Sequence, residues 1–145
     1  VLLGRLGVDV EALDREAVWP GVRAFNASLM GVCAHEPAPM AMAALGMIED
    51  LFAGMSGQLG RAILSRGWLE PDELIHYGLH EELDVEHAEA FYAPLRARWE
   101  ADDQARAQIE RGLELGAHML WWLFDELHAA ARAELGTRAA PQLAC

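Results

Sequence analysis

The segment of residues 40–48 most constrains the fold of this chain, because every residue in it is apolar or glycine. In a helix, such a segment presents apolar side chains in every direction, which is typical of a helix buried on all sides. We predict a long helix over residues 40–65 at the centre of a bundle. Ala, Leu, Glu and Arg dominate the sequence, and no alternating strand pattern occurs. The sequence therefore predicts an all-α fold.

Proline residues divide the rest of the chain into further helices. We predict helices over residues 22–34 and 102–135, and a third that opens at Pro71 and is ended or kinked by Pro94. Residues 1–17 are predicted to form a short helix or a loop. With 145 residues, the chain has the size of a single domain.

The negative net charge of the chain limits the kinds of partner that it can be expected to bind. The chain carries 23 acidic and 11 basic residues, for a net charge of −12. Because affinity for nucleic acid comes largely from Lys and Arg on phosphates, we expect no nucleic-acid partner. The same charge argues against an anionic membrane surface, and no apolar run reaches the roughly 18 residues that span a bilayer. We therefore expect no membrane partner.

The two cysteines favour a cytoplasmic protein with reduced thiols. Cys33 is predicted to be a small buried residue in a helix, and Cys145 is the last residue, so a structural disulfide is not expected. Reduced thiols are the usual state in the cytoplasm.

The segment of residues 80–87 carries the clearest chemical signal. His80, Asp84 and His87 are spaced at i, i+4 and i+7, which places them on one face of a helix. Two imidazole nitrogens and a carboxylate oxygen suit iron, manganese or zinc better than calcium or magnesium. The segment therefore predicts a non-haem metal site. The alternative is that these side chains are solvated or hydrogen-bonded without a metal.

Glu49, on the helix predicted over residues 40–65, is a fourth candidate ligand. It lies among apolar residues, and a buried carboxylate is costly unless it is paired, protonated or bound to a metal. We expect Glu49 to be buried and to join His80, Asp84 and His87 as a metal ligand. The alternative places Glu49 at a solvated edge of its helix. Together the four would supply part of a dinuclear centre, which commonly takes about six protein ligands.

The other candidate residues near this set are predicted to have structural roles. The ferritin-like signature needs Glu-x-x-His on two helices, and it occurs once, at residues 73–76. His76 is therefore expected beside the site or in the core. Trp121 and Trp122, on the last helix, are expected to pack in the core.

Residues 44–95 resemble a family of haem-oxygenase-like diiron oxidases and oxygenases, the iron-containing redox enzymes. This family lies within the wider superfamily of thiaminase II and pyrroloquinoline quinone synthase. The resemblance rests on Leu45-Gly46-x-x-Glu49 and on Leu74-Ile75-x-Tyr77-x-x-His80-x-x-x-Asp84-x-x-His87-Ala88. It extends more loosely to residues 105–130.

The resemblance implies a haem-oxygenase-like helical bundle and a centre of two iron ions, with manganese as the alternative metal. Such enzymes use dioxygen to oxidise a small amine, amino acid or fatty acid by N-oxygenation, desaturation or oxidative cleavage. Glu49, His80, Asp84 and His87 match ligand positions of the family's pattern.

The family's pattern also includes a Glu and a His, seven residues apart, on an earlier helix, and this sequence has no such pair before Glu49. We therefore expect residues 1–145 to be a single helical domain that lacks the N-terminal core helix of a larger bundle. The missing ligands would come from a second chain, another segment or a homo-oligomer.

Two other functions remain open at this point. One is a metal-free relative of the thiaminase II or quinone-cofactor synthase type, in which the same helix face binds substrate and does acid–base chemistry. The other is a non-catalytic helical protein whose partner covers the apolar residues 40–48. Iron content and oxygen-dependent turnover distinguish the diiron enzyme from both.

Overall fold

A computed structural model describes residues 1–9, 11 and 18–139 of the chain. In these residues the α-helices are α1 (Leu2–Arg5), α2 (Pro20–His35), α3 (Ala38–Ser65), α4 (Ile75–Ala101) and α5 (Asp103–Ala139). The described part of the chain contains helices and no strand, so the predicted all-α class is confirmed. The prediction for residues 10 and 12–17 lies outside the described residues.

Helix α3 lies between α4 and α5 and packs mainly against these two helices. Gly60 of α3 lies beside Leu74, just before α4, whereas Gly46 lies beside Tyr92 in the second half of α4. Residues later in α3 therefore meet residues earlier in α4. The two helices run antiparallel.

Glycines on α5 allow a close approach to α3. A Cβ atom added at Gly112 would overlap the backbone oxygen of Met40, and one added at Gly116 would overlap the backbone oxygen of Ala44. These contacts keep the same chain order on both helices, so α3 and α5 run parallel. Any larger side chain at these two positions must push the helices apart.

Two clusters of buried apolar residues form the core, one joining α2, α3 and α5 and the other joining α3, α4 and α5. Their buried members are Val32, Ala44 and Met119 in the first and Ala43, Leu95 and Ile109 in the second. Residues 40–48 are less buried than predicted, because Met42 and Met47 keep part of their surface in solvent. The face of α3 with small side chains is the one that packs most tightly.

Helix α3 is also the one helix in the described residues that is long and apolar enough, by length and composition, to cross a membrane. The core helix of a bundle meets the same criteria, and α3 occupies that place between α4 and α5. The prediction concerned an uninterrupted apolar run, and Glu49 and Asp50 do interrupt the apolar residues of α3. The absence of a membrane partner stays a prediction.

The prediction that Pro71 opens an α-helix is wrong by one short turn. Residues Pro71–Glu73 form a 3₁₀ turn, in which the backbone N–H of Glu70 donates to Oε2 of Glu73 at 3.0 Å. Helix α4 begins after this turn. It continues through Pro94 to Ala101, so the proline removes one backbone donor without ending the helix.

Two predictions of burial are also wrong. Cys33 lies on an exposed position of α2. On α5, Met119 and Leu120 fill the side facing α3, and the side chain of Trp121 is 71% exposed. Trp122 is exposed as well. Each helical residue turns the side chain by about 100°, so Trp121 and Trp122 lie outside the closely packed contact with α3, and Trp121 lines an open groove between α3 and α5.

Candidate metal centre

The antiparallel packing of α3 and α4 brings Glu49 beside Asp84 and His87. Oε2 of Glu49 lies 3.8 Å from Nδ1 of His87, and Oδ1 of Asp84 lies 3.6 Å from the same nitrogen. One donor atom from each of the three side chains lies within 4.8 Å of the other two. Three of the four predicted ligands therefore converge on one point between two helices.

The three side chains differ in burial. Asp84 is 1% exposed and forms the floor of the site, whereas Glu49 is 33% exposed and His87 is 50% exposed. The site therefore opens to solvent on its His87 side. The prediction that Glu49 is buried is only half right, because Glu49 is partly buried, whereas Asp50, next to it, is exposed.

His80 lies beside this group and contacts Asp84. Its Nδ1 is 2.8 Å from Oδ1 and 3.0 Å from Oδ2 of Asp84. An ionised carboxylate only accepts hydrogen bonds, so Nδ1 of His80 is the donor when Asp84 is charged. Among the described residues, His80 does not join the group of three whose donor atoms lie within 4.8 Å.

The electrostatics of the site disfavour a second negative charge. Burial raises the pKa of the Glu49 carboxyl above its usual value, and the nearby negative charge of Asp84 raises it further. The positive forms of His87 and His80 act in the opposite direction. A bound cation would relieve the repulsion between the two carboxylates.

The residues present fit a first-row transition metal. Oxygen and nitrogen donors bind such ions at about 2.0–2.2 Å, so two donors of one ion lie roughly 3–4.4 Å apart. The separations of 3.6 and 3.8 Å around His87 fall in this range. Two carboxylates and one imidazole are also a donor set that such metals accept.

We predict that Glu49→Gln stabilises the metal-free protein at neutral pH, because it removes a carboxylate whose charged form is disfavoured in the folded state. Folding raises the pKa of Glu49, so the ionised carboxylate destabilises the folded state at a pH above the folded pKa. This destabilisation disappears as the pH falls through 4.5, the pKa of the group in the unfolded chain. Thermal unfolding in the presence of a chelator should therefore show a higher Tm for the variant at neutral pH and an equal Tm below that value.

Asp50→Asn is the matched control for this prediction, because it removes an exposed carboxylate one residue away. It should change Tm much less than Glu49→Gln at neutral pH. An unchanged or lower Tm for Glu49→Gln would contradict the repulsion between Glu49 and Asp84.

Two further α3 residues near the site were not predicted from the sequence. Phe52 packs edge-on against the His80 ring, with 5.8 Å between ring centroids. Ser56 is fully buried, and its hydroxyl has no hydrogen-bond partner in the part of the chain that the structure describes. Both lie at helical spacing from Glu49, three and seven residues on, and that spacing is the signal that identifies them.

The residues around the site are otherwise solvated or paired on the surface. His76 is exposed, and its ring lies 4.4 Å from that of His80, which agrees with a place beside the site. Glu81 pairs with Arg61 at 3.1 Å, and Glu89 pairs with Arg96. These acids form the outer face of α4 and do not enter the group of three.

Comparisons of this chain with protein-family models, with curated proteins and with solved structures find no match. The resemblance to the haem-oxygenase-like oxidases therefore depends on the motif residues themselves.

Proposed function

We propose that this protein is a non-haem iron enzyme that uses dioxygen to oxidise a small molecule, such as an amine, an amino acid or a fatty acid. The observation that carries the proposal is the convergence of Glu49, Asp84 and His87, whose donor atoms lie within 4.8 Å of one another. The motif resemblance supports iron, with manganese as the alternative. The haem-oxygenase-like form of the all-α bundle is part of the same proposal.

Each side chain has a distinct part in holding the metal. Asp84 and Glu49 supply negative charge that offsets the charge of the ion, and His87 supplies a neutral nitrogen from the exposed side. Bound iron supplies the redox chemistry with dioxygen that side chains lack. Three ligands from the protein leave positions open for small molecules.

A complete diiron centre requires more ligands than these residues provide, because such centres commonly take about six protein ligands. We propose that a further Glu and His come from a second chain, a homo-oligomer or another segment. In this proposal the chain supplies only part of the ligand set of a cytoplasmic enzyme.

A groove in the bundle offers a place for the apolar part of a substrate. It lies between α3, α4 and α5, has a volume of about 470 Å³, and is lined by residues that include Met47, Tyr92, Trp99 and Leu113. Burial and the charge of Asp50 raise the pKa of Tyr92 to about 12, so its phenol stays protonated and can donate a hydrogen bond. This mixture of an apolar wall and a few polar groups is typical of small-molecule sites.

The proposal is tested by loading the protein with Fe(II) without oxygen, removing free metal by desalting, and measuring iron per chain. We expect iron to remain bound, at about two ions per chain where the missing ligands are present. Dioxygen uptake after exposure to air should depend on that iron. Iron content near zero in a protein that is otherwise folded contradicts the proposal.

A metal-free acid–base enzyme is the second candidate, because the same geometry places two carboxylates and two imidazoles together on α3 and α4. Paired groups of this kind can transfer protons to and from a bound substrate. Turnover that persists in a chelator and without dioxygen would favour this candidate over the iron enzyme.

Partner binding without catalysis is favoured by a different surface. A second groove of about 690 Å³ lies between α3 and α5, and Leu51 and Trp121 on its walls are exposed. Exposed apolar side chains that line one groove are common at protein interfaces. Absence of both iron and turnover would favour partner binding over the two enzyme functions.

A further inference from the structure

We infer that the groove between α3 and α5 binds a basic amphipathic helix of a partner protein. The groove has a volume of about 690 Å³, and its apolar side chains are those of Leu51, Met55, Leu120, Trp121 and Phe124. Helical periodicity places the α3 residues of the groove, such as Gly54 and Gln58, on the side of α3 away from Glu49. The inference therefore goes beyond the proposed metal centre and does not depend on it.

The groove opens where one row of residues on α5 changes from glycine to large side chains. Gly112 and Gly116 lie directly against the backbone of α3. At the same spacing of four residues, the row continues with Leu120 and Phe124. Because these side chains prevent so close an approach, the two helices leave a space between them at this level. The groove is therefore built into the packing of α3 and α5.

The two walls of the groove have the dimensions of a short helix. The residues that line it lie within 50–58 on α3 and within 120–128 on α5. Each wall is therefore a little over two helical turns long, or roughly 12 Å at 1.5 Å per residue. A partner helix of this length presents apolar side chains at i, i+4 and i+7 to such a groove. Trp121, which is 71% exposed, is the aromatic anchor that such an interface commonly uses.

The charges at the edges of the groove favour a basic partner. Asp50 lies on the α3 wall and Asp125 on the α5 wall, and both are exposed. Within the part of the chain that the structure describes, neither forms an ion pair, and no Lys or Arg lines the groove. A Lys or Arg on each side of an apolar stripe would meet one of these carboxylates. Such charge complementarity speeds association and selects the partner.

A second copy of this chain matches the groove less well. The exposed apolar side chains of α4 are those of Ile75, Leu79 and Val85, but Glu82 and Glu86 lie on the same face of that helix. These acids would face the two carboxylates of the groove. Two chains that each carry a net charge of −12 also repel one another. A basic helix from another protein meets neither obstacle.

The test uses three synthetic peptides of about 18 residues, cross-linked between side chains because short isolated helices are marginally stable in water. All three carry the same row of leucines at i, i+4 and i+7, and their flanking positions are Lys, Gln or Glu. Fluorescence anisotropy measures the Kd of each for the full chain. We expect the Lys peptide to bind most tightly, with an advantage that shrinks at high salt. No binding of the Lys peptide, or equal affinity of all three, would overturn the inference.

Two variants show whether the peptide lies in the groove. Trp121→Ala removes the exposed anchor, and Gly54→Leu fills open space, because a Cβ atom at Gly54 meets nothing within 4 Å. Each should weaken binding of the Lys peptide by about tenfold or more, as loss of a central anchor does. Trp122→Ala is the matched control, since Trp122 is exposed and does not line the groove. Wild-type affinity in both groove variants would place the peptide elsewhere and refute the inference.

Sedimentation of the chain without peptide distinguishes a second copy as the occupant. We expect Trp121→Ala to leave the oligomeric state of the wild type unchanged, because the groove is free when no partner is present. An oligomer that this variant dissociates would mean that a second copy fills the groove, and the inference would be wrong. Circular dichroism checks the fold of each variant, and Gly54→Leu gives the readout if Trp121→Ala does not fold.

Discussion

Replacing Asp84 by asparagine is expected to abolish iron binding while leaving the helices intact. Asp84 is the only one of the three proposed ligands that is fully buried, and it is in contact with both His80 and His87. Asparagine keeps the size of the side chain but removes its charge. Because loss of a supporting contact alone costs about 10–100-fold in metal affinity, loss of a ligand should cost more. Iron per chain after Fe(II) loading and desalting measures the effect.

Glu86→Gln is the matched control for Asp84→Asn. It removes an exposed carboxylate from the same helix, two residues away, and should leave the iron content unchanged. Far-ultraviolet circular dichroism should give the same helical signal for both variants. Wild-type iron content in Asp84→Asn would mean that the metal, if bound, is held elsewhere in the protein.

Replacing Gly116 by alanine is expected to destabilise the fold strongly, because the new methyl group would overlap the backbone oxygen of Ala44. Backbone atoms of a packed helix cannot move aside as a flexible side chain does, so α3 and α5 must separate. Overpacking of this kind typically costs about 1–3 kcal/mol in the free energy of unfolding. Thermal or urea unfolding of the metal-free protein measures it.

The same substitution at Gly54 should have the opposite sign. Gly54 lies within α3, and a Cβ atom there would meet nothing within 4 Å. Alanine in an open helical position stabilises a helix by about 0.5–1 kcal/mol relative to glycine. Equal changes in Gly116→Ala and Gly54→Ala would show that α5 does not approach α3 as closely as the structure places it.

Much of the helical organisation is predictable from local sequence. Prolines and the helix-favouring composition predict α2, α3 and α5 to within a few residues at each start, because these signals act on the backbone of their own segment. The end of α4 is not predictable in this way. Pro94 removes one backbone hydrogen bond, and the rest of the helix, with Leu95 packed in the core, continues past it.

The candidate site is predictable in its membership and less so in its geometry. The i, i+4, i+7 spacing places His80, Asp84 and His87 on one face of α4, and the apolar surroundings single out Glu49. The spacing cannot give the separations between these side chains. Nδ1 of His80 lies 2.8 Å from Oδ1 of Asp84 and Nδ1 of His87 lies 3.6 Å from it, and this difference is set by side-chain rotamers and by packing from α3.

Helical periodicity and backbone propensity are local properties, so they suffice to predict a helical protein that carries a set of metal-type donors on one helix. Which of these donors meet depends on how the helices pack. The glycines of α5 determine how closely α5 approaches α3. The antiparallel packing of α3 and α4 places Glu49 opposite Asp84 and His87. The packing of the helices also leaves Trp121 exposed while it buries Met119 and Leu120.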